Sequence, residues 1–89
     1  MAKGEISWKR RDDEGGKVQV YAKRTGKRWN FFIREKRFDD WEPHEHPPLE
    51  DYLALLDGAE RRAARRLIPP VEIERLKEII RANFPDYDF

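Results

Sequence analysis

The first half of the chain alternates. From Glu5 to Arg11, Ile6 and Trp8 fall on one side of an extended strand, and Ser7, Lys9 and Arg11 on the other. A period of two is that of a half-buried β-strand. The pattern resumes over residues 17–24, where Val18, Val20 and Ala22 oppose Gln19, Tyr21 and Lys23. It returns over residues 28–37, where Trp29, Phe31 and Ile33 oppose Asn30, Phe32, Arg34 and Lys36. Between these runs lie Asp12-Asp13-Glu14-Gly15-Gly16 and Thr25-Gly26-Lys27, whose glycines suit the positive φ of tight hairpin turns. Short connections make successive runs antiparallel neighbours, so a three-stranded antiparallel β-meander is expected. A slip of one residue would exchange the two faces, so the apolar set fixes the register.

Residues 38–47, FDDWEPHEHP, have no period and contain prolines, which predicts a surface linker with little regular structure. Phe38 and Trp41 are its expected anchors, since large aromatic side chains are seldom left in water. The pattern then becomes helical. Over residues 48–68, Leu49, Tyr52, Leu53, Leu56, Ala59, Ala63 and Leu67 recur at helical spacing, and Arg61, Arg62 and Arg65 lie opposite, with Arg66 at the boundary. Pro48 suits a first helical turn and Glu50 and Asp51 suit the positive end of the helix dipole. Gly58 and Glu60 disturb the stripe, and Asp57-Gly58-Ala59-Glu60 also reads as a capping box that would start a new helix; a continuous helix is the expectation. Pro69-Pro70 ends it and opens a second helix over residues 70–84, with Ile73, Leu76, Ile80 and Phe84 in one stripe and Glu78 and Arg81 spaced to pair. The expected fold is α+β, in the order βββαα, as a single domain over residues 1–89. Two C-terminal helices would pack on the apolar face of the sheet, and Trp8 and Trp29 would be core residues.

Composition adjusts this picture in two ways. The chain has 89 residues, of which 42% are charged, yet it holds three Trp, three Tyr and five Phe. Aromatics in patterned runs belong to a folded domain and not to a disordered chain. The net charge of +1 hides a strong segregation. Residues 1–37 carry 12 Lys/Arg against 5 Asp/Glu, residues 38–60 carry 8 acids and no Lys or Arg, and residues 61–89 carry 7 against 5. Such blocks mark either a surface for a polyanion or an acidic segment folding back on a basic one. No apolar run approaches the roughly 20 residues of a membrane span, and MAKGEISWKRR lacks the apolar stretch of a signal peptide. A cytoplasmic protein with no membrane partner is expected.

Catalysis finds few residues to work with. There is no Cys, one Ser (Ser7) and one Thr (Thr25). A hydroxyl nucleophile needs a base within hydrogen-bond reach, and neither has one nearby in sequence. His44-Glu45-His46, close to Asp39, Asp40 and Glu42, is the one constellation resembling a metal site. Histidines two apart in an extended segment point to opposite sides, which is poor geometry for one ion, so solvated side chains are the simpler account. Neither a cofactor nor an enzymatic activity is expected.

Two binding surfaces remain. The polar side of the sheet collects Lys9, Arg11, Lys23, Arg34 and Lys36 around Tyr21 and Phe32, cations for phosphates and rings for bases, as in sheets that bind single-stranded nucleic acid. Against it stands an ordinary solvated sheet neutralised by the acidic linker. The second surface is the cluster Arg61, Arg62, Arg65 and Arg66, whose i,i+4 pairs could clamp phosphates or a partner's carboxylates, or simply keep a helix face soluble. The reading is a small binding module for single-stranded nucleic acid. The alternative is a protein-interaction adaptor or homodimer.

Overall fold

The computed structural model describes residues 5–26, 28–36 and 39–88. Its elements follow the order β1 (Glu5–Arg11), β2 (Lys17–Thr25), β3 (Arg28–Arg34), β4 (Glu42–Pro43), α1 (Leu49–Ala64) and α2 (Pro70–Asn83). The fold is α+β with a βββαα layout, and the chain divides into two compact units, Met1–Pro47 and Pro48–Phe89.

In the first unit the sheet is antiparallel with strand order β1-β2-β3-β4. The sheet is therefore four-stranded: the linker, expected to hold little regular structure, contributes the two-residue edge strand Glu42–Pro43. Phe32 pairs with Pro43 and Ile33 with Glu42, and the His44 N–H donates to the Phe31 carbonyl at 2.8 Å. A two-residue strand is too short to show alternation, which is why the pattern hides it. β3 ends at Arg34, short of residue 37, and the expected contributions of Arg37 and Phe38 lie outside the described residues.

The register matches the alternation. Ile6, Ala22 and Phe31 are aligned across β1–β3, as are Trp8, Val20 and Ile33. Ile6, Val18, Val20, Ala22 and Phe31 are buried. Trp8, Trp29 and Ile33 share this side but are only half-buried, so the two tryptophans border the buried set and are not its centre. Trp8 meets Phe31 edge to face, at 6.1 Å between ring centroids. Arg10 and Arg24 also fall on this side, opposite Val18 and Trp29; both are half-buried, and the Arg10 Nη1 donates to the Arg11 carbonyl at 3.1 Å. The β1–β2 turn is built by Asp12, whose Oδ1 accepts from the N–H groups of Glu14 (3.0 Å) and Gly16 (2.7 Å). Gly15, at φ +84°, supplies the left-handed residue the turn needs.

In the second unit α1 runs through Gly58 without a break. Asp57 does not cap a new helix; it pairs with Arg61 one turn on. The buried side of α1 is Asp51, Leu55, Leu56, Gly58 and Ala59, rotated from the expected stripe. Leu53 is half-buried and Leu67 is 54% exposed. Gly58 thus marks a buried position, and Glu60 is exposed. Pro48 is the N-cap, one position before the first turn. The helix ends at Ala64, earlier than expected. The Arg66 N–H donates to the Ala63 carbonyl (3.0 Å) and the Leu67 N–H to the Arg62 carbonyl (2.9 Å), with Arg66 at φ +62°. These bonds form a Schellman closure, with arginine in the left-handed position that glycine ordinarily takes. In α2 the buried residues are Glu72, Ile73, Leu76 and Ile80. Glu72 is paired with Arg75 at 2.6 Å, and Glu78 and Arg81 lie 3.6 Å apart. Tyr52 meets Phe84 edge to face at 5.6 Å, tying the start of α1 to the end of α2. Burial there pushes the Tyr52 phenol above its ordinary 10.0.

Two substitutions check this description. Phe31→Ala should reduce stability by about 3–5 kcal/mol, and Trp29→Ala by clearly less, because Trp29 is half-exposed; equal losses in urea titrations would contradict this burial pattern. Arg66→Gly should stabilise by roughly 0.5–1 kcal/mol, the left-handed penalty less the added freedom of the unfolded chain. A lower melting temperature for that variant would contradict the helix closure.

Candidate functional site

The polar side of the sheet is organised around β2. Tyr21 is aligned with Ser7 on β1 and Phe32 on β3, and Gln19 with Lys9 and Arg34. Lys9, Arg11, Tyr21, Lys23, Phe32 and Arg34 therefore share one face. Lys36 does not, because it lies past the end of β3 in a turn. There its N–H donates to Asp39 Oδ2 (3.1 Å) and its carbonyl accepts from the Asp39 N–H (2.9 Å).

Tyr21 and Phe32 stack on one another, at 4.8 Å between centroids and 19° between planes. Such a cross-strand ring pair stabilises the sheet, and it turns one ring face of each inward. The third ring was not foreseen at this site. Trp41, one residue before β4, packs edge to face on Tyr21 at 4.6 Å. Arg34 lies over the Trp41 ring, its guanidinium carbon 4.2 Å from the centroid, and its Nε donates to Gln19 Oε1 at 2.7 Å. An arginine placed over an indole gains a cation–π contact. Phe32 in β3 and the β3–β4 pairing together place Trp41 on this face, a result no period in residues 38–47 announces.

The linker reaches the basic face through the Trp41 indole, and its acids share a cavity with Arg34. Among the described residues, none of Lys9, Arg11 and Lys23 forms an ion pair with Asp39, Asp40 or Glu42. Those acids line a separate cavity of about 580 Å³ with Asp12, Glu35 and Arg34. Of two other cavities, one is walled by the aromatic array and the second meets it through Gln19, the partner of Arg34. One of about 280 Å³ is lined by Glu5, Ser7, Tyr21 and Trp41. The other, of about 460 Å³, is lined by Lys9, Arg10, Arg11, Lys17, Val18, Gln19 and Glu35, a mainly cationic set. Arg11 is partly engaged there, donating to the Gly15 carbonyl at 2.9 Å.

The arginine cluster of the second unit is less regular than its spacing implies. Arg61 pairs with Asp57, and the Arg62 Nη1 donates to the Gly58 carbonyl at 3.4 Å. Arg65 is the C-cap and Arg66 is left-handed, so Arg61/Arg65 and Arg62/Arg66 are not successive-turn pairs within one helix. Ser7 and Thr25 are exposed strand residues. Among the described residues no group of three His, Cys, Asp or Glu is placed to hold a metal ion. No helix among them is long and apolar enough to cross a membrane.

No protein family, curated protein or solved structure matches the chain.

A double-mutant cycle over Arg34→Ala and Trp41→Ala should give a coupling energy of about 0.5–1 kcal/mol in urea unfolding, the size of a half-exposed cation–π contact. Additive losses would mean that Trp41 does not rest on Arg34.

Proposed function

We propose that the first unit binds single-stranded nucleic acid through the polar face of its sheet. The observation that supports this reading is the array Phe32–Tyr21–Trp41–Arg34, set beside the cationic cavity of Lys9, Arg10, Arg11 and Lys17. Phosphates are neutralised by Lys and Arg, which gives affinity without sequence preference. Bases stack on aromatic rings, each worth about 1–3 kcal/mol. The array shares its face with Lys9, Arg11 and Lys17, while Arg10 lines the cavity from the other side of β1; the adjacent rows Ser7–Tyr21–Phe32 and Lys9–Gln19–Arg34 lie two residues apart along the strands, about 6.6–6.8 Å. No catalytic step is invoked; the chain acts by binding.

A second reading, a protein-interaction adaptor or a homodimer, is favoured by a different feature. Leu67 and Val71 are 54% and 51% exposed, next to Arg65 and Arg66, an apolar pair in a basic setting.

Anisotropy titrations of a labelled mixed-sequence strand test the first reading. With three to five phosphate contacts, log K should fall against log salt with a slope of about −2 to −3.5. Trp41→Ala should weaken binding by about 1–3 kcal/mol, and Lys9→Glu should weaken it while flattening the slope. No binding at low salt would overturn the reading, and a concentration-dependent dimer in sedimentation would then favour the second.

A further inference from the structure

The cavity lined by Glu5, Ser7, Tyr21 and Trp41 contains an acid on an otherwise cationic face. Phosphate binding has no use for it, since a carboxylate repels the backbone of any nucleic acid. Glu5 lies two residues before Ser7 on the same side of β1 and is aligned with Lys23 across the β1–β2 pairing. It is half-buried and lines the cavity. The other walls are the rings of Tyr21 and Trp41, and Ser7 adds a hydroxyl that both donates and accepts.

From this juxtaposition we infer that the cavity is a base-reading subsite for guanine, a conclusion that rests on the nucleic-acid reading above. A base lodged there contacts the two aromatic side chains and turns an edge toward Glu5. A carboxylate accepts hydrogen bonds and donates none, so it selects the edge richest in adjacent donors. The Watson–Crick edge of guanine presents N1–H and the N2 amino group side by side, matched to the two carboxylate oxygens. Adenine and cytosine each present one amino group beside a ring nitrogen whose lone pair faces the second oxygen. Thymine and uracil present a single N–H between two carbonyls, both of which the carboxylate repels. Single-stranded bases are read in this way, on edges that a duplex would hide. Lys23, opposite Glu5, is placed for the phosphate of the same nucleotide.

Rings beside a carboxylate also suit an alkylammonium ion. Lys9, Arg11 and Lys23 on the same face disfavour a cationic ligand and favour a polyanion, and that charge decides between the two.

The test uses the full chain, a short oligothymidine strand, and the same strand with one central guanosine, adenosine or cytidine. Binding is read by competition anisotropy, and each strand is repeated with Glu5→Gln. The guanosine strand should bind roughly 5- to 150-fold more tightly than the other three, the discrimination of a bidentate base contact. Glu5→Gln should bring the four strands close to parity and raise the affinity for oligothymidine, since the repulsion of its carbonyls and phosphates is removed. Equal affinities for all four strands with intact salt dependence would overturn the guanine subsite and leave the sheet-face reading standing. No binding of any strand would overturn both. Displacement of the strand by tetramethylammonium chloride, but not by sodium chloride at equal ionic strength, would overturn the guanine assignment in favour of a cation-binding cage.

Discussion

Ala22 is aligned with Ile6 on one neighbouring strand and with Phe31 on the other. Because strand side chains repeat every two residues, that alignment dictates the side taken by every residue of β1, β2 and β3. Burial of the Ile6, Val18, Val20, Ala22 and Phe31 set holds the alignment in place, since a one-residue slip would bring Lys9, Arg11 and Lys23 into its position. Unsatisfied buried charge costs far more than any turn or pairing preference. The composition of the polar face is therefore a consequence of the apolar one. Tyr21 and Phe32 meet, and Arg34 sits beside Gln19, because Val20 and Ala22 are buried.

Trp41 depends on the same alignment at one remove. Once Phe32 is on the polar side, antiparallel pairing puts Pro43 there too, and the residue two before it follows. The indole then finds a ring edge at Tyr21 and a guanidinium at Arg34. A linker carrying several acids is thereby attached to a basic face by Trp41, while Asp39, Asp40 and Glu42 line a cavity with Arg34. The basic face keeps Lys9 and Lys23 exposed.

The strands were legible in the order of residues because alternation of β-branched and aromatic side chains is a strong, local signal. The parts that escaped have physical reasons. β4 holds two residues, and alternation needs more than that. Trp41 acts through a pairing partner distant in sequence, so no window around it carries the information. The end of α1 at Ala64 carries no sequence signal because its left-handed closing residue is Arg66, where glycine would mark the stop. The buried side of α1 differs from the expected stripe because Leu53, Leu55 and Leu56 are equally apolar, and periodicity alone does not choose among adjacent leucines. Of the candidate site, the cations and the Tyr21–Phe32 pair followed from the alternation. The third ring and the cavity it shares with Glu5 and Ser7 required the tertiary structure.

The central claim is that the polar face of the sheet, with Trp41 laid on it, is the surface that meets a single strand. Chemical-shift mapping of the isotope-labelled chain during titration with a short mixed-sequence oligonucleotide tests it most directly. The account predicts that the largest perturbations fall on Lys9, Tyr21, Lys23, Phe32 and Arg34 and on the Trp41 indole N–H, with the Trp8 and Trp29 indoles nearly unmoved. Perturbations confined to residues 48–89, or none at saturating strand, would contradict it.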